Sequence, residues 1–315
     1  MTKQKCLYCY QTLPESEKGF HAKCSKIFFD SPLPPVLEVN LSDIESLALN
    51  ILGRNTSVTG VQPKLSVDLK KNKKEPARLT IVGLWGRYIL KPPHYNFPEM
   101  PENEDLTMKL AESVGIKTAS HSLIRMKSGE LAYISKRFDR TAKEKLHVED
   151  FAQLLEVLTE RKYSGSIEQI GRGVLQYSSF PGNDLINIFE VVLFAFITGN
   201  ADMHLKNFSL LRDENDDIKL SPAYDLISTK LLLPQDKEET ALTINGKKSK
   251  FKREDFDYLY EKLLINSKTA AMIYKKYSDI IEQWFDLIKK CFLSEAAQTS
   301  YMKLIEQRMK QINLG

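Results

Sequence analysis

Two regimes of hydrophobic patterning divide the chain. Between residues 57 and 140, short runs alternate or stay apolar and favour β-branched and aromatic residues: PKLSVDL, ARLTIVGL, RYILKP, HSLIRM and LAYISKRF. Such runs predict strands, and KKNKKEP and KSGE between them read as turns. One helix interrupts the series, ENEDLTMKLAESVG, with Leu106, Leu110 and Val114 on one face and Gly115 at its end. Beyond residue 140 the apolar spacing changes to three and four. HVEDFAQLLEVLTE, DLINIFEVVLFAFITG, REDFDYLYEKLL, TAAMIYKKYSDIIEQWFDLIKKCF and SYMKLIEQRMKQ each predict a helix, with FSLL and IKLS as the strands of a hairpin. A sheet-rich part followed by a helical part predicts an α+β fold with two lobes.

The ends of these regimes give three segments. Residues 1–30 form a small Cys/His knuckle, residues 31–138 the sheet-rich lobe and residues 139–315 the helical lobe. DSPLPPVLEVN after the knuckle reads as an extended, proline-stiffened connector. The knuckle carries Cys6, Cys9, His21 and Cys24 in the spacing C-x2-C-x11-H-x2-C. Two close pairs of soft donors suit a tetrahedral Zn2+ site that could staple a segment too small to fold alone. The plainer alternative is three small thiols beside a surface histidine.

Composition narrows the class. At 315 residues, 42% hydrophobic and 27% charged, the chain has the make-up of a soluble globular protein. A net charge of +4 on 45 basic and 41 acidic side chains is too mild for a nucleic-acid binder, so any contact with DNA is expected only through a partner. No apolar run reaches the ~20 residues of a membrane helix, and MTKQKCLYCYQ lacks a secretory core. With four cysteines and no disulfide framework, a reducing cytoplasm is the expected location.

One stretch concentrates polarity inside an apolar context. GNADMHLKNFSLL leaves a buried-looking helix, gathers Asn200, Asp202, His204, Lys206 and Asn207, and returns to Phe208, Leu210 and Leu211. Asp202 and Asn207 have the D-x4-N spacing of a kinase catalytic loop, in which the Asp orients a hydroxyl and the Asn holds Mg2+. Asp225 in SPAYDLIS follows eighteen positions after Asn207, where a second Mg2+ ligand is needed. Upstream, NTSVTGVQPKLSV offers Ser57, Thr59 and Gly60 before a strand, a loop whose N–H groups could cradle phosphates. Lys91 ends a strand and could grip the α- and β-phosphates of ATP, with Glu104 in the following helix as its ion-pair partner.

Taken singly, each residue has a plainer role. Lys91 could be a solvated strand end, Glu104 a complement to the helix dipole, Asp202 and Asn207 an Asx turn, and His204 a local structural group. Together they stand in the chain order of a protein-kinase fold. That order decides for the kinase reading, and folding is expected to gather Lys91, Asp202, Asn207 and Asp225 around one metal-bridged triphosphate.

The motifs TSVTGVQPKLS, YILKPP, NEDLTMKLAESVGI, ISKRFDR, LHVEDFAQLL, GNADMHLKNFSLL and LSPAYDLIS, spanning residues 52–228, resemble the HipA family of serine/threonine kinase toxins. The resemblance implies Asp202 as catalytic base, Asn207 and Asp225 as Mg2+ ligands and Lys91 as the ATP-phosphate lysine. Ser57, Val58, Thr59, Gly60, His204 and Lys206 join the nucleotide-facing set. Lys136, Arg137 and Phe138 match the adenine hinge, although Lys136 stands where the family usually has an acidic residue. Family members phosphorylate a serine of the SVTG loop and so switch themselves off; Ser57 is the match and Thr59 a second candidate. A phosphate beside the site meant for ATP's phosphates inactivates by charge repulsion.

The loop arrives at residue 57, earlier than in HipA proper, so the chain looks like the short, HipT-like form. The resemblance then implies a HipB-like helix-turn-helix partner, a HipS-like small antitoxin and a protein substrate, by analogy an aminoacyl-tRNA synthetase whose modification arrests translation. Delivery to another cell stays open. Two rival classes are a small-molecule phosphotransferase of kinase-like fold and a non-catalytic partner-binding module.

Overall fold

The computed structural model describes residues 4–44, 63–70, 77–82, 85–141 and 144–314. The chain forms two compact units. Unit 1 comprises residues 1–105, 119–137 and 290–292, and unit 2 residues 106–118, 138–289 and 293–315. The sequence-based boundaries differ in two ways. The first thirty residues share the core of unit 1 instead of forming a body of their own, and residues 106–118 and 290–292 belong to the unit opposite to that of their chain neighbours.

Among the described residues, unit 1 is built on six strands: β1 (Val36–Leu37), β2 (Leu65–Lys70), β3 (Arg78–Ile81), β4 (Tyr88–Lys91), β5 (His121–Arg125) and β6 (Leu131–Lys136). Their order is β1-β3-β2-β4-β6-β5, antiparallel except for the β1–β3 pair. The five longer strands are those read from alternation. β1 comes from the proline-stiffened connector, which uses its extended backbone to cap the sheet edge. Val67, Leu79, Tyr88, Leu90, Ile124 and Ile134 bury one face against Leu7, Phe20, Phe28 and Phe29 of the knuckle. The knuckle's own helix, Ala22–Phe29, sets Phe28 and Phe29 edge-to-face at 4.7 Å, both about 6 Å from the Tyr88 ring of β4.

Unit 2 has a three-stranded antiparallel sheet, β7 (His147–Asp150), β8 (Ser209–Arg212) and β9 (Ile218–Leu220), in that order. Its core is the helix Pro181–Thr198, started by Pro181 in the first turn and ended by Gly199 in the left-handed region. This helix is apolar and long enough to cross a membrane by composition alone, but most of it is buried within the unit, as a core helix should be. The helices Ile167–Tyr177 and Glu295–Gln311 pack on it. Arg253–Lys262, Ser267–Asp279 and Ile281–Lys290 complete the predicted helical part.

Two expectations are corrected, and one helix is added. HVEDFAQLLEVLTE is not one helix: His147–Asp150 pairs with β8, and Phe151–Leu154 makes a single turn. Asp150 caps that turn reciprocally with Gln153, and Glu156 leaves it with φ +56°, so the helix cannot propagate. The long run after residue 266 is two helices broken at Ile280, with Tyr277 and Trp284 edge-to-face across the break. The helix Ile167–Tyr177 went unread, although Ser166 and Gln169 form a capping box visible in the sequence.

Candidate active site

The polar stretch after the core helix of unit 2 is a loop held from several sides. Gly199 adopts φ +71°, and a Cβ there would lie 2.7 Å from Leu304 and 3.0 Å from Lys230, so only glycine fits. Thr229 staples the turn: its hydroxyl accepts the Ala201 N–H at 2.8 Å and donates to the Gly199 carbonyl. The loop then closes in a 3-10 turn, Leu205–Asn207, and re-enters the core as β8. The chain leaves the core because glycine ends the helix, and returns because β8 is needed between β7 and β9.

Asp202 stands exposed on this loop while its neighbours Met203, His204 and Leu205 are buried. The Tyr163 hydroxyl donates to Asp202 Oδ1 at 2.8 Å, and the Tyr163 ring meets the His204 imidazole edge-on at 5.2 Å. Burial holds His204 below the usual histidine range, only partly opposed by the carboxylates of Asp202 and Asp225, so the ring is neutral at neutral pH. His204 Nδ1 and Asn200 Nδ2 are buried with no hydrogen-bond partner among the described residues.

Asn207 is buried, and its side-chain oxygen accepts the His204 N–H at 3.1 Å. That bond orients the amide carbonyl and leaves its second lone pair for a cation. Asp225 follows on a segment latched to the same loop: the Tyr224 hydroxyl donates to the Lys206 carbonyl at 2.8 Å and accepts from Ser209 at 2.5 Å. Asp225 itself has φ +57°, a conformation that Asp tolerates better than most residues. Two oxygen donors from Asn207 and Asp225 suit a hard cation such as Mg2+, which keeps waters and substrate phosphates in its remaining positions. The Lys206 ammonium pairs with Asp150 Oδ2 at 2.8 Å, tying the loop to β7.

In unit 1, Lys91 at the end of β4 pairs with Glu104 Oε1 at 2.5 Å, with both side chains buried. Its ammonium also lies 5.2 Å from the Tyr133 ring centre. Glu104 sits in the helix Met100–Ser113, whose residues Met100 to Asp105 belong to unit 1. The hinge candidates are engaged as well. The Lys136 N–H donates to the Ser120 carbonyl at 2.7 Å and the Arg137 N–H to the Arg87 carbonyl at 2.9 Å. The Lys136 ammonium reaches Asp30 at 3.4 Å, so the departure from an acidic residue has a local partner in the N-terminal segment. In unit 2, Phe138 packs on Tyr224 at 5.5 Å between ring centres. Ser57, Val58, Thr59 and Gly60 lie outside the described residues.

Sequence reasoning missed Tyr163, Tyr224 and Thr229. All three act on residues 18 to 39 positions away. Nothing in their local sequence marks them, although Tyr224 precedes Asp225 directly.

The profile of the HipA-like C-terminal domain matches residues 56–292. Among curated relatives, a Sinorhizobium fredii protein named "Putative kinase Y4dM" is 36% identical over 208 residues, 62% of this chain and 49% of that protein. A Haemophilus influenzae protein named "Putative kinase" is 27% identical over 288 residues, 82% of each chain. The serine/threonine-protein kinase toxin HipA of Shewanella oneidensis is 30% identical over 192 residues, 55% of this chain and 43% of that protein. The chain thus spans about half the length of the first and third of these. In structure it resembles Shewanella oneidensis HipA, solved with HipB and operator DNA, with TM-score 0.68 at 21% identity over 96% of this chain and 73% of that one. That likeness establishes a kinase-like α+β fold of the HipA type. With three quarters of its length matched by the profile, this chain belongs to the HipA-like C-terminal domain family.

Proposed function

We propose that the protein is a Mg-ATP-dependent serine/threonine protein kinase acting as the toxin of a toxin–antitoxin system. The observation that carries this reading is the assembly in unit 2, where an exposed Asp202, an oriented Asn207 and Asp225 stand on two segments tied by the Tyr224–Lys206 bond. The buried Lys91–Glu104 pair of unit 1 supports it, because a strand lysine held by a helix glutamate is the phosphate-gripping device of kinases. The kinase names of the curated relatives point the same way.

In this reading Asp202 accepts a hydrogen bond from the substrate hydroxyl, orients it toward the γ-phosphate and takes its proton as the new P–O bond forms and the bond from the γ-phosphorus to the bridging oxygen breaks, with ADP leaving. Asn207 and Asp225 would hold Mg2+, and the ion would supply positive charge against the phosphates of ATP. Lys91 binds the α- and β-phosphates, and the neutral His204 buttresses the loop. Lys136, Arg137 and Phe138 serve as the adenine hinge. Ser57 or Thr59 receives phosphate in self-inactivation. The protein substrate is an aminoacyl-tRNA synthetase, and the partners are a HipB-like DNA-binding protein and a HipS-like antitoxin in a bacterial cytoplasm. The Shewanella oneidensis complex of HipA with HipB and operator DNA supports the first partner.

Incubating the protein with Mg2+ and γ-labelled ATP, alone and with a bacterial lysate, tests the reading. Label is expected on the protein and on a target, and Asp202→Ala should reduce transfer at least ~100-fold without unfolding. Transfer by Asp202→Ala at the normal rate would end the assignment.

A further inference from the structure

The Cys/His cluster lies outside the residues proposed for phosphate transfer, and its four side chains converge on one point. The donor atoms of Cys6, Cys9, His21 and Cys24 all lie within 4.8 Å of one another. His21 Nδ1 is 3.4 Å from Cys9 Sγ and 3.8 Å from Cys24 Sγ. In a tetrahedron with Zn–S bonds of ~2.3 Å, neighbouring donors stand about 3.7 Å apart, so a single Zn2+ would need only small adjustments.

The surroundings are those of a closed structural site. The other ring nitrogen, His21 Nε2, donates to the Thr12 carbonyl at 3.1 Å, which fixes the tautomer and leaves the Nδ1 lone pair facing the three sulfurs. The His21 backbone N–H points at Cys6 Sγ at 3.4 Å, and the N–H groups of Cys9 and Tyr8 also face that sulfur. Backbone donors aimed at sulfur stabilise a thiolate. Four protein donors leave no coordination position for water or substrate, as expected of a structural rather than a catalytic metal.

Three contacts connect this segment to the Lys91–Glu104 pair, all within unit 1. Phe28 and Phe29 pack on Tyr88, three residues before Lys91 on β4. Tyr10 follows Cys9 directly; it is fully buried, and its hydroxyl donates to Asp105 Oδ2 at 2.6 Å. His121 Nδ1 meets the other Asp105 oxygen at 2.7 Å, and Asp105 is the neighbour of Glu104 on the same helix. The knuckle therefore holds both the strand that carries the lysine and the helix that carries the glutamate.

We propose that Cys6, Cys9, His21 and Cys24 bind one structural Zn2+, and that the metal-folded knuckle clamps the start of the helix Met100–Ser113 to β4 through Tyr10 and Asp105. The site stands whether or not the chain is a kinase, since its test reads metal and backbone protection and no phosphate transfer.

The test uses the full chain, purified without metal-chelating steps. Elemental analysis is expected to give about one zinc per chain. Replacing it by Co2+ should bring the visible and near-ultraviolet bands of a tetrahedral thiolate site, a readout that needs no variant. Cys9→Ser, at the more accessible of the paired cysteines, should lose most of the zinc. Stripping zinc with a strong chelator should lower the melting temperature by several degrees and speed amide hydrogen exchange in residues 100–105, reversed on adding Zn2+. Tyr10→Phe should keep the zinc yet raise exchange in the same residues. Metal well below stoichiometry after Zn2+ addition, or a mass showing that the cysteines have closed a disulfide, would overturn the metal site. Unchanged exchange at residues 100–105 in both the stripped protein and Tyr10→Phe would overturn the clamp.

Discussion

The Tyr163 hydroxyl donates a 2.8 Å hydrogen bond to Asp202 Oδ1, thirty-nine residues away. It thus occupies one of the two carboxylate oxygens that, under the proposed function, would accept a substrate hydroxyl, and competes with an incoming serine for that oxygen. A single such bond at an exposed position has a net worth of about 1 kcal/mol, or roughly fivefold in an equilibrium. Tyr163→Phe should therefore raise kcat/KM for phosphate transfer about fivefold. Steady-state kinetics on the protein target would check it, and a drop in kcat would mark the hydroxyl as a positioning group for Asp202 instead.

Lys91 and Glu104 form a buried ion pair. Lys91→Met leaves the buried Glu104 carboxylate without its ammonium and should cost about 3 kcal/mol of stability. The double variant Lys91→Met/Glu104→Gln, which removes both charges, should recover most of that loss. Chemical denaturation of the two variants gives the comparison directly.

Glu102, two residues before Glu104, is pushed up to about 7 by burial, with the charges of Glu99 and Asp105 adding to the effect. The fold prefers the protonated acid. The stability that this preference lends is complete below about 4.5 and is lost as pH rises through about 7. Glu102→Gln keeps an uncharged side chain at every pH. It should therefore raise the melting temperature by about 2–4 °C at pH ~8 and change it little at pH ~5.

Gly199 ends the core helix of unit 2 in a conformation and a space that exclude a side chain. Gly199→Ala should destabilise the protein by about 1–3 kcal/mol through left-handed strain and the contact with Leu304. Because Gly199 also fixes the path of the loop to Asp202, the same variant should lose activity at temperatures where it remains folded. A thermal melt paired with a transfer assay at low temperature separates the two effects.

Much of this was legible in the residues. The longer strands of unit 1 were readable because β-branched and aromatic residues alternate there, and the core helix because its apolar run ends at a glycine. Asp202, Asn207 and Asp225 were selected from chain spacing, and the fold joins the segments that carry Asn207 and Asp225 through the Tyr224–Lys206 bond. The misreading of residues 147–160 shows the limit. HVED became a strand because β8 offers it a ladder from sixty residues away, and no local period records that. Tyr163, Tyr224 and Tyr10 likewise acquire their roles from partners far along the chain. The tie between Lys136 and Asp30 spans 106 positions, and it was invisible until both side chains had a place.

The left-handed backbone of Asp225 bears on how that position is probed. Alanine there would change two things at once, removing the carboxylate and losing the tolerance of the left-handed region that aspartate has and alanine lacks. Asparagine shares aspartate's tolerance for this conformation and its size, so Asp225→Asn isolates the missing charge. Any comparison of metal dependence built on alanine at 225 would mix ligand loss with a distorted chain path.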